Sequence, residues 1–284
     1  MIAITGANGQ LGQLVIHSLL QQTDAANIVA LVRNPDNAGS LTALGIEVRQ
    51  ADYNQPQTLT AALAGVQQLL LISSSEVGQR VEQHQAVIDA ASQAQVSLLV
   101  YTSILKADRN PMLLAQEHKI TEQRIQQSGL PAVILRNGWY SENYTGNIAA
   151  VLNTGSVVGA AADGVFSTAS RQDYAAAAAQ VLLHPHSHIG QTYELAGDQG
   201  FTLAGYAAEI ARQTADAVSY RNLEQAEYVA LLQQFGLPQG FAAALADAEA
   251  CAAEGWLADD SQTLSRLLGR PTTPLADSVR QALS

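Results

Sequence analysis

Only one of the 284 residues is a cysteine, Cys251. That excludes an internal disulfide framework and fits a reducing compartment, so a cytoplasmic setting is expected. Positive charge is also scarce, with 14 Lys and Arg against 25 Asp and Glu and a formal net charge of −11. An acidic surface repels nucleic acid and anionic membrane, and neither is an expected partner. No uninterrupted apolar run approaches the roughly 20 residues that a spanning helix needs. No leader is apparent ahead of a first strand that opens at Ile2, and low-complexity tails and internal repeats are absent. No metal site is expected. What is present is a chain 48% apolar and 14% charged, the balance of a folded domain rather than a disordered one. Its length suffices for one domain or two closely associated ones.

The apolar segments alternate in type. MIAIT, NIVALVRN, IEVRQADY, QQLLLISSS, SLLVYTSIL and PAVILRNG read as six strands. Between them lie helical patterns, of which LGQLVIHSLLQQ is the clearest, with Leu11, Leu14, Val15, Leu19 and Leu20 at helical spacing. Residues 40–44, TLTAALAG, VEQHQAVIDAASQAQ and residues 115–128 supply the other helices. Such alternation predicts an α/β fold, a doubly wound parallel sheet of Rossmann type. After Asn137 the rhythm changes. Turn signals at Thr154-Gly155 and Asp163-Gly164 suggest short extended pieces over residues 155–168. A helix over 173–183, strands at YELAG and VSYRNL, and a helix from Leu203 capped by Thr202 follow. This reading divides the chain into a nucleotide-binding domain, 1–137, and a smaller α+β substrate lobe, 138–284, whose strands are free to rejoin the main sheet.

Gly6, Ala7, Asn8, Gly9, Gln10, Leu11 and Gly12 spell G-x-x-G-x-x-G between the first strand and the first helix. The first glycine permits the tight turn, the second lets backbone approach a pyrophosphate, and the third allows close helix–strand packing. The helix amino end then offers free N–H groups and partial positive charge to phosphate. Incidental glycines in a βα turn would give the same letters, but the strand before and the helix after argue for the binding motif. Arg33 ends the second strand, 21 residues beyond Gly12, where NAD enzymes place an acid for the ribose 2′-hydroxyl. A guanidinium there suits a 2′-phosphate, so NADP(H) is the expected cofactor. Asp52 and Tyr53 either flank the adenine or form a strand-end turn.

The helix after the fifth strand lacks the Tyr-x-x-x-Lys pair with which short-chain dehydrogenases move the substrate proton; it carries Gln116-Glu117-His118-Lys119-Ile120-Thr121-Glu122 instead. Ser103 therefore has no tyrosine to serve. Alcohol chemistry is disfavoured, and a reaction that needs mainly hydride delivery to an electrophilic ring, such as a quinone, fits better. His118 is either a proton donor or a packed helix histidine. Residues 136–144, RNGWYSENY, follow the sixth strand at the carboxyl edge where open α/β sheets bind ligands. Asn137, Tyr140, Glu142 and Asn143 offer polar contacts, and Trp139, Tyr140 and Tyr144 offer flat surfaces for an aromatic ligand, unless they are core aromatics. The candidate catalytic residues are His118, Tyr140 and Asn143. Ser73, Ser74 and Ser75 would lie alongside the cofactor. Arg171 either reaches it or starts a helix.

ITGANGQLG, VRNP, RQADY, LLLISSSEVGQR, LRNGWYSENY and GRPTT together resemble the NmrA-like, atypical short-chain dehydrogenase family, nearly end to end. The resemblance implies quinone reduction by NADPH without a flavin. It also implies cofactor contacts from the glycine loop, Arg33, Ser73, Ser74 and Ser75, and from Asn137, Gly138, Trp139, Tyr140, Ser141 and Glu142; Arg171 joins this candidate set. Asn8 departs from the threonine of many members, a small polar exchange. The acceptor is expected in the cleft between the lobes of a monomer or homodimer. Two other activities fit the same framework: an NADP(H)-binding redox sensor and a reductase of triphenylmethane dyes.

Overall fold

The computed structural model describes all 284 residues. Strand β1 (Ile2–Ile4) leads through the glycine loop into α1 (Gln10–Leu20). Strand β2 (Ile28–Val32), α2 (Gly39–Ala43), β3 (Glu47–Gln50), α3 (Pro56–Ala62), β4 (Gln68–Leu71) and α4 (Arg80–Gln93) follow. Strand β5 (Leu98–Ile104), α5 (Leu113–Ser128) and β6 (Ala132–Asn137) complete the alternating part. Next come α6 (Glu142–Thr145), α7 (Ile148–Thr154), β7 (Ser156–Gly159), α8 (Arg171–Leu183) and β8 (Thr192–Leu195). The chain ends with α9 (Leu203–Thr214), β9 (Ser219–Asn222), α10 (Gln225–Gln234), α11 (Gln239–Ala253), α12 (Thr263–Leu268) and α13 (Leu275–Leu283). No helix is long and apolar enough to cross a membrane.

Two compact units are built from these elements. Met1–Ile104, Glu117–Asn137 and Arg171–Tyr193 make the first; Leu105–Gln116, Gly138–Ser170 and Glu194–Ser284 make the second. The chain leaves the first unit at Asn137, but it returns there for α8, so a single cut at that residue does not describe the division. Alanine explains the return. Ala175, Ala177, Ala178 and Ala179 are buried, and so small a face lets α8 lie close to α1, where Gln172 Nε2 donates to Ser18 Oγ at 3.3 Å.

The main sheet runs β3-β2-β1-β4-β5-β6-β8, the doubly wound parallel arrangement expected from the alternation. Ile2 stands level with Ile28 on one side and Gln68 on the other, so strand order reverses at β1. Every residue of β1, β2 and β5 is buried, as the apolar runs of β1, β2 and the start of β5 require of strands covered on both faces; β5 also buries Thr102 and Ser103. Strand β3 at the edge exposes Glu47 and Gln50, charge and polarity that discourage further pairing. Helix α1 sinks Leu11, Val15, Ile16 and Leu19 into the core, each worth ~1.5–3 kcal/mol on full burial.

In the second unit the VSYRNL strand is present as β9, which pairs in parallel with β7. The remainder of residues 155–168 is less extended than expected. After β7 only a bridge between Phe166 and Phe201 pairs in the β manner. Helix α7 ends there on Gly155 at φ 65°, a left-handed cap that glycine adopts without steric cost. Helix α11 carries two buried titratable groups. Cys251 is buried, and that burial, with Asp247 and Glu254 adding negative charge, pushes its thiol up to about 11. Glu249 is 8% exposed and accepts from the Ala160 amide and the Tyr228 hydroxyl. Desolvation outweighs both bonds and raises its carboxyl to about 7.

A carboxyl whose folded pKa lies above its unfolded value costs stability once the unfolded chain ionises. The cost is absent below the unfolded value near 4.5, grows up to about 7, and is constant above that. Glu249→Gln is therefore expected to stabilise the protein at pH 8 by roughly 3 kcal/mol and to have little effect at pH 4. Thermal melts at the two pH values check this; an equal gain at both would reject it.

Candidate functional site

The glycine loop lies at the carboxyl end of β1, where the strand order reverses. Gly6 sits at φ 58°, and the Gly9 amide donates to its carbonyl at 2.9 Å. A side chain on Gly12 would meet the Gly6 carbonyl oxygen at 2.5 Å and the Ala7 Cα at 2.8 Å, so only glycine lets α1 begin so close to the strand. No side chain caps α1 at Gly9 and no acid occupies its first turn. By helical geometry the amides of Gln10, Leu11 and Gly12 have no acceptor within the helix. Gln13 braces the loop by donating from Nε2 to the Asn8 carbonyl at 2.9 Å. The Asn8 Oδ1 is buried with no partner. Thr5 and Tyr53 lock the loop's base: Tyr53 Oη lies 2.6 Å from Thr5 Oγ1, which also accepts the Ile72 amide at 2.9 Å. Tyr53 is thus a stitch between β1 and β4, and Asp52 organises the turn beside it, accepting from the Asn54 amide.

Arg33, at the end of β2, is 71% exposed and pairs with Glu76 at 3.0 Å. Glu76 belongs to the segment that follows β4. Hydrogen bonds hold this segment along its length: Ser73 donates its amide to Thr102 Oγ1, Ser74 its amide to His84 Nε2, and Arg80 Nε donates to the Ser74 carbonyl at 2.6 Å. The Glu76 amide donates to Ser74 Oγ, while Ser75 is exposed. Glu117 of α5 accepts the Gly78 and Arg80 amides at 3.0 and 3.1 Å, capping α4 from outside. The glycine loop, Arg33 and the three serines thus stand at the carboxyl ends of neighbouring strands, β1, β2 and β4. Asn137 ends β6, its Oδ1 also buried and without a partner. Arg171, half-buried, opens α8.

The Ser74 amide fixes the tautomer of His84. Because Nε2 accepts, the proton sits on Nδ1, which lies 3.0 Å from Thr121 Oγ1. Tyr101 Oη, 3.5 Å from that Nδ1, is 2.7 Å from His118 Nδ1. Burial, then the Arg80 charge, holds His84 down at about 3. His118, 5% exposed, is held well below the usual range by burial, Arg80 and His84. Of the two readings of His118, its surroundings favour the packed helix histidine: the ring is enclosed, engaged with a tyrosine, and held towards the neutral form. Ser103 is engaged as well. It donates to Glu122 Oε1 at 2.5 Å, and Arg136 grips the same carboxylate through Nε at 3.0 Å and Nη2 at 2.6 Å. Ser103 thus serves a half-buried bidentate ion pair rather than a tyrosine.

In the second unit, Gly138 donates its amide to the Leu195 carbonyl at 2.7 Å. Trp139, Tyr140 and Ser141 run beside Ala169: Ala169 donates to the Trp139 carbonyl and Ser141 to the Ala169 carbonyl. Ser141 is buried, with Oγ 2.8 Å from Thr168 Oγ1. Trp139 and Tyr140 are half-buried, Glu142 half-buried, and Asn143 exposed. Tyr144 is half-buried and packs among other aromatics. It meets Phe166, Phe201 and Tyr206 edge-on at centroid distances of 5.2, 5.9 and 6.1 Å.

Residues 6–185 match the NAD(P)H-binding family. The chain belongs to that family. It is 54% identical over 279 residues to quinone oxidoreductase 2 of Escherichia coli K12, covering 98% of this chain and 97% of the relative. A crystal structure of the NADPH-dependent quinone oxidoreductase of Escherichia coli complexed with NADPH superposes with a TM-score of 0.97 at 53% identity, over 100% of both chains. The triphenylmethane reductase of Citrobacter sp. complexed with NADP(H) gives 0.94 at 35% identity, over 99% of this chain and 100% of that one.

The residues of this NAD(P)H-binding chain suit a dinucleotide. The uncapped start of α1, which the close packing at Gly12 positions, and the unpartnered Asn8 and Asn137 oxygens each leave something for a ligand to meet. The loop and RNGWYSENY were visible in the sequence. His84, Glu76 and Glu117 were not singled out; the only signal for Glu76 and His84 was their place in or near the LISSSEVGQR stretch, and Glu117, on α5, had none.

Gly12→Ala is expected to weaken dinucleotide binding at least tenfold, because backbone must move to admit the methyl group. Gly9→Ala, whose added carbon would sit 3.1 Å from the Gly6 carbonyl, is expected to weaken it less. Titration calorimetry on both variants compares them, and equal losses would show that packing at residue 12 is not the constraint.

Proposed function

We infer that this protein is an NADPH-dependent quinone reductase. The likeness over the whole chain to the Escherichia coli enzyme carries the reading, and the site supports it. The amino end of α1 and the bare glycine backbone hold the pyrophosphate. Arg33 takes the 2′-phosphate. Asn8, Ser73, Ser74, Ser75, Asn137, Gly138, Trp139, Tyr140, Ser141, Glu142 and Arg171 complete the cofactor set. When bound, the reduced nicotinamide supplies the hydride. The acceptor's remaining proton comes from solvent, since His118 is buried and neutral. Exposed Asn143 and half-buried Tyr140 orient the quinone by hydrogen bonding and supply no proton. One NADPH, one quinone and one proton give NADP⁺ and hydroquinone.

Likeness to the Citrobacter enzyme supports a second activity, hydride delivery to a cationic triphenylmethane dye. Both acceptors are electrophilic and neither needs a tyrosine acid.

Steady-state turnover of NADPH with a small benzoquinone is expected, and the dye assayed in its place measures the second activity. Cofactor binding without turnover of either acceptor would instead mark a redox sensor. Because both interior histidines are held below their usual range, kcat should stay flat between pH 5.5 and 8. A fall with a midpoint near 6.5 would restore a histidine to the chemistry.

A further inference from the structure

The partner of Arg33 is a held carboxylate, not a wandering surface one. Glu76 Oε1 meets the Arg33 guanidinium at 3.0 Å, and its Oε2 accepts from Gln83 Nε2 at 2.9 Å. Gln83 is 3% exposed, and its second amide hydrogen goes to Asn54 Oδ1 at 3.1 Å. The Glu76 amide is bonded to Ser74 Oγ. Backbone and carboxylate are thus fixed from the interior, so negative charge is kept at the group that would receive a 2′-phosphate.

We propose that Glu76 is a specificity-determining residue that competes with the 2′-phosphate for Arg33 and so narrows the preference for phosphorylated over unphosphorylated dinucleotide. This rests on the assignment of Arg33 to the 2′-phosphate. A dianionic phosphate that arrives at Arg33 must displace the carboxylate and bear its repulsion. A ribose hydroxyl need displace nothing and can donate to the same carboxylate. Unphosphorylated cofactor is therefore tolerated, and the phosphorylated form binds less tightly than an unencumbered arginine would allow.

The test measures Kd for NADP⁺ and NAD⁺ by calorimetry at low salt, with wild type, Glu76→Gln, Arg33→Ala and the double variant. Glu76→Gln should tighten NADP⁺ by ~3- to 10-fold, the scale of one screened charge several ångströms away, and leave NAD⁺ unchanged or weaker. The gain should shrink as salt rises and vanish when Arg33 is absent. If Arg33→Ala leaves the NADP⁺/NAD⁺ ratio intact, the assignment of Arg33 fails and the proposal with it. If Arg33→Ala collapses the ratio but Glu76→Gln does not raise it, or raises it equally without Arg33, the proposal alone is overturned. Glu76 is partly exposed at 36%, and a thermal melt of each variant confirms that it is folded.

Discussion

Helix α1 starts where it does because residue 12 has no side chain. Its backbone passes so near Gly6 and Ala7 that a methyl group would overlap main-chain atoms on both. That approach aims the uncapped amides of the first turn over the end of β1, at the one place in the sheet where strand order reverses. A helix set further back would carry the same dipole in the wrong place. The buried Leu11, Val15, Ile16 and Leu19 hold it down, and the alanine face of α8 supports it from the side.

Around this point the first unit uses buried polar groups as fixings rather than as reagents. His84 would be read as chemistry in many sequences, yet it holds the Ser74 amide. Tyr101 and His118 occupy each other, and Glu117 caps a helix that is not its own. Satisfied networks of this kind are rigid because each lost bond leaves an enclosed polar group unpaired. Rigidity suits hydride transfer, where the demand on the protein is to orient two flat rings. Acid catalysis would require a group that changes charge near neutral pH, and the first unit's buried histidines are held away from that range.

The sheet was legible because its central strands are buried on both faces, which favours apolar runs, and because the glycine pattern sits between a strand and a helix. The place of Arg33 at the end of β2 was legible from its spacing alone. Its partner was not: Glu76 lies 43 residues further along, and only the pairing of β4 with β1 brings the segment into reach. His118 stayed open between donor and packed histidine because sequence shows a residue's type but not its enclosure. Tyr144 stayed open between ligand platform and core aromatic for the same reason, and three aromatics from elsewhere in the chain pack against it. The return of α8 to the first unit was hidden because an alanine-rich helix shows no apolar stripe to say which unit it covers.

The placement of Cys251 has a bearing on what the protein can withstand. Quinones are soft electrophiles that arylate thiolates, and an enzyme that draws them in risks being modified by its own acceptor. Here the lone thiol, on α11, is buried and pushed up to about 11, which favours the less nucleophilic thiol form at neutral pH. A reactive acceptor thus meets a sulfur that is both buried and weakly nucleophilic in the molecule that reduces it.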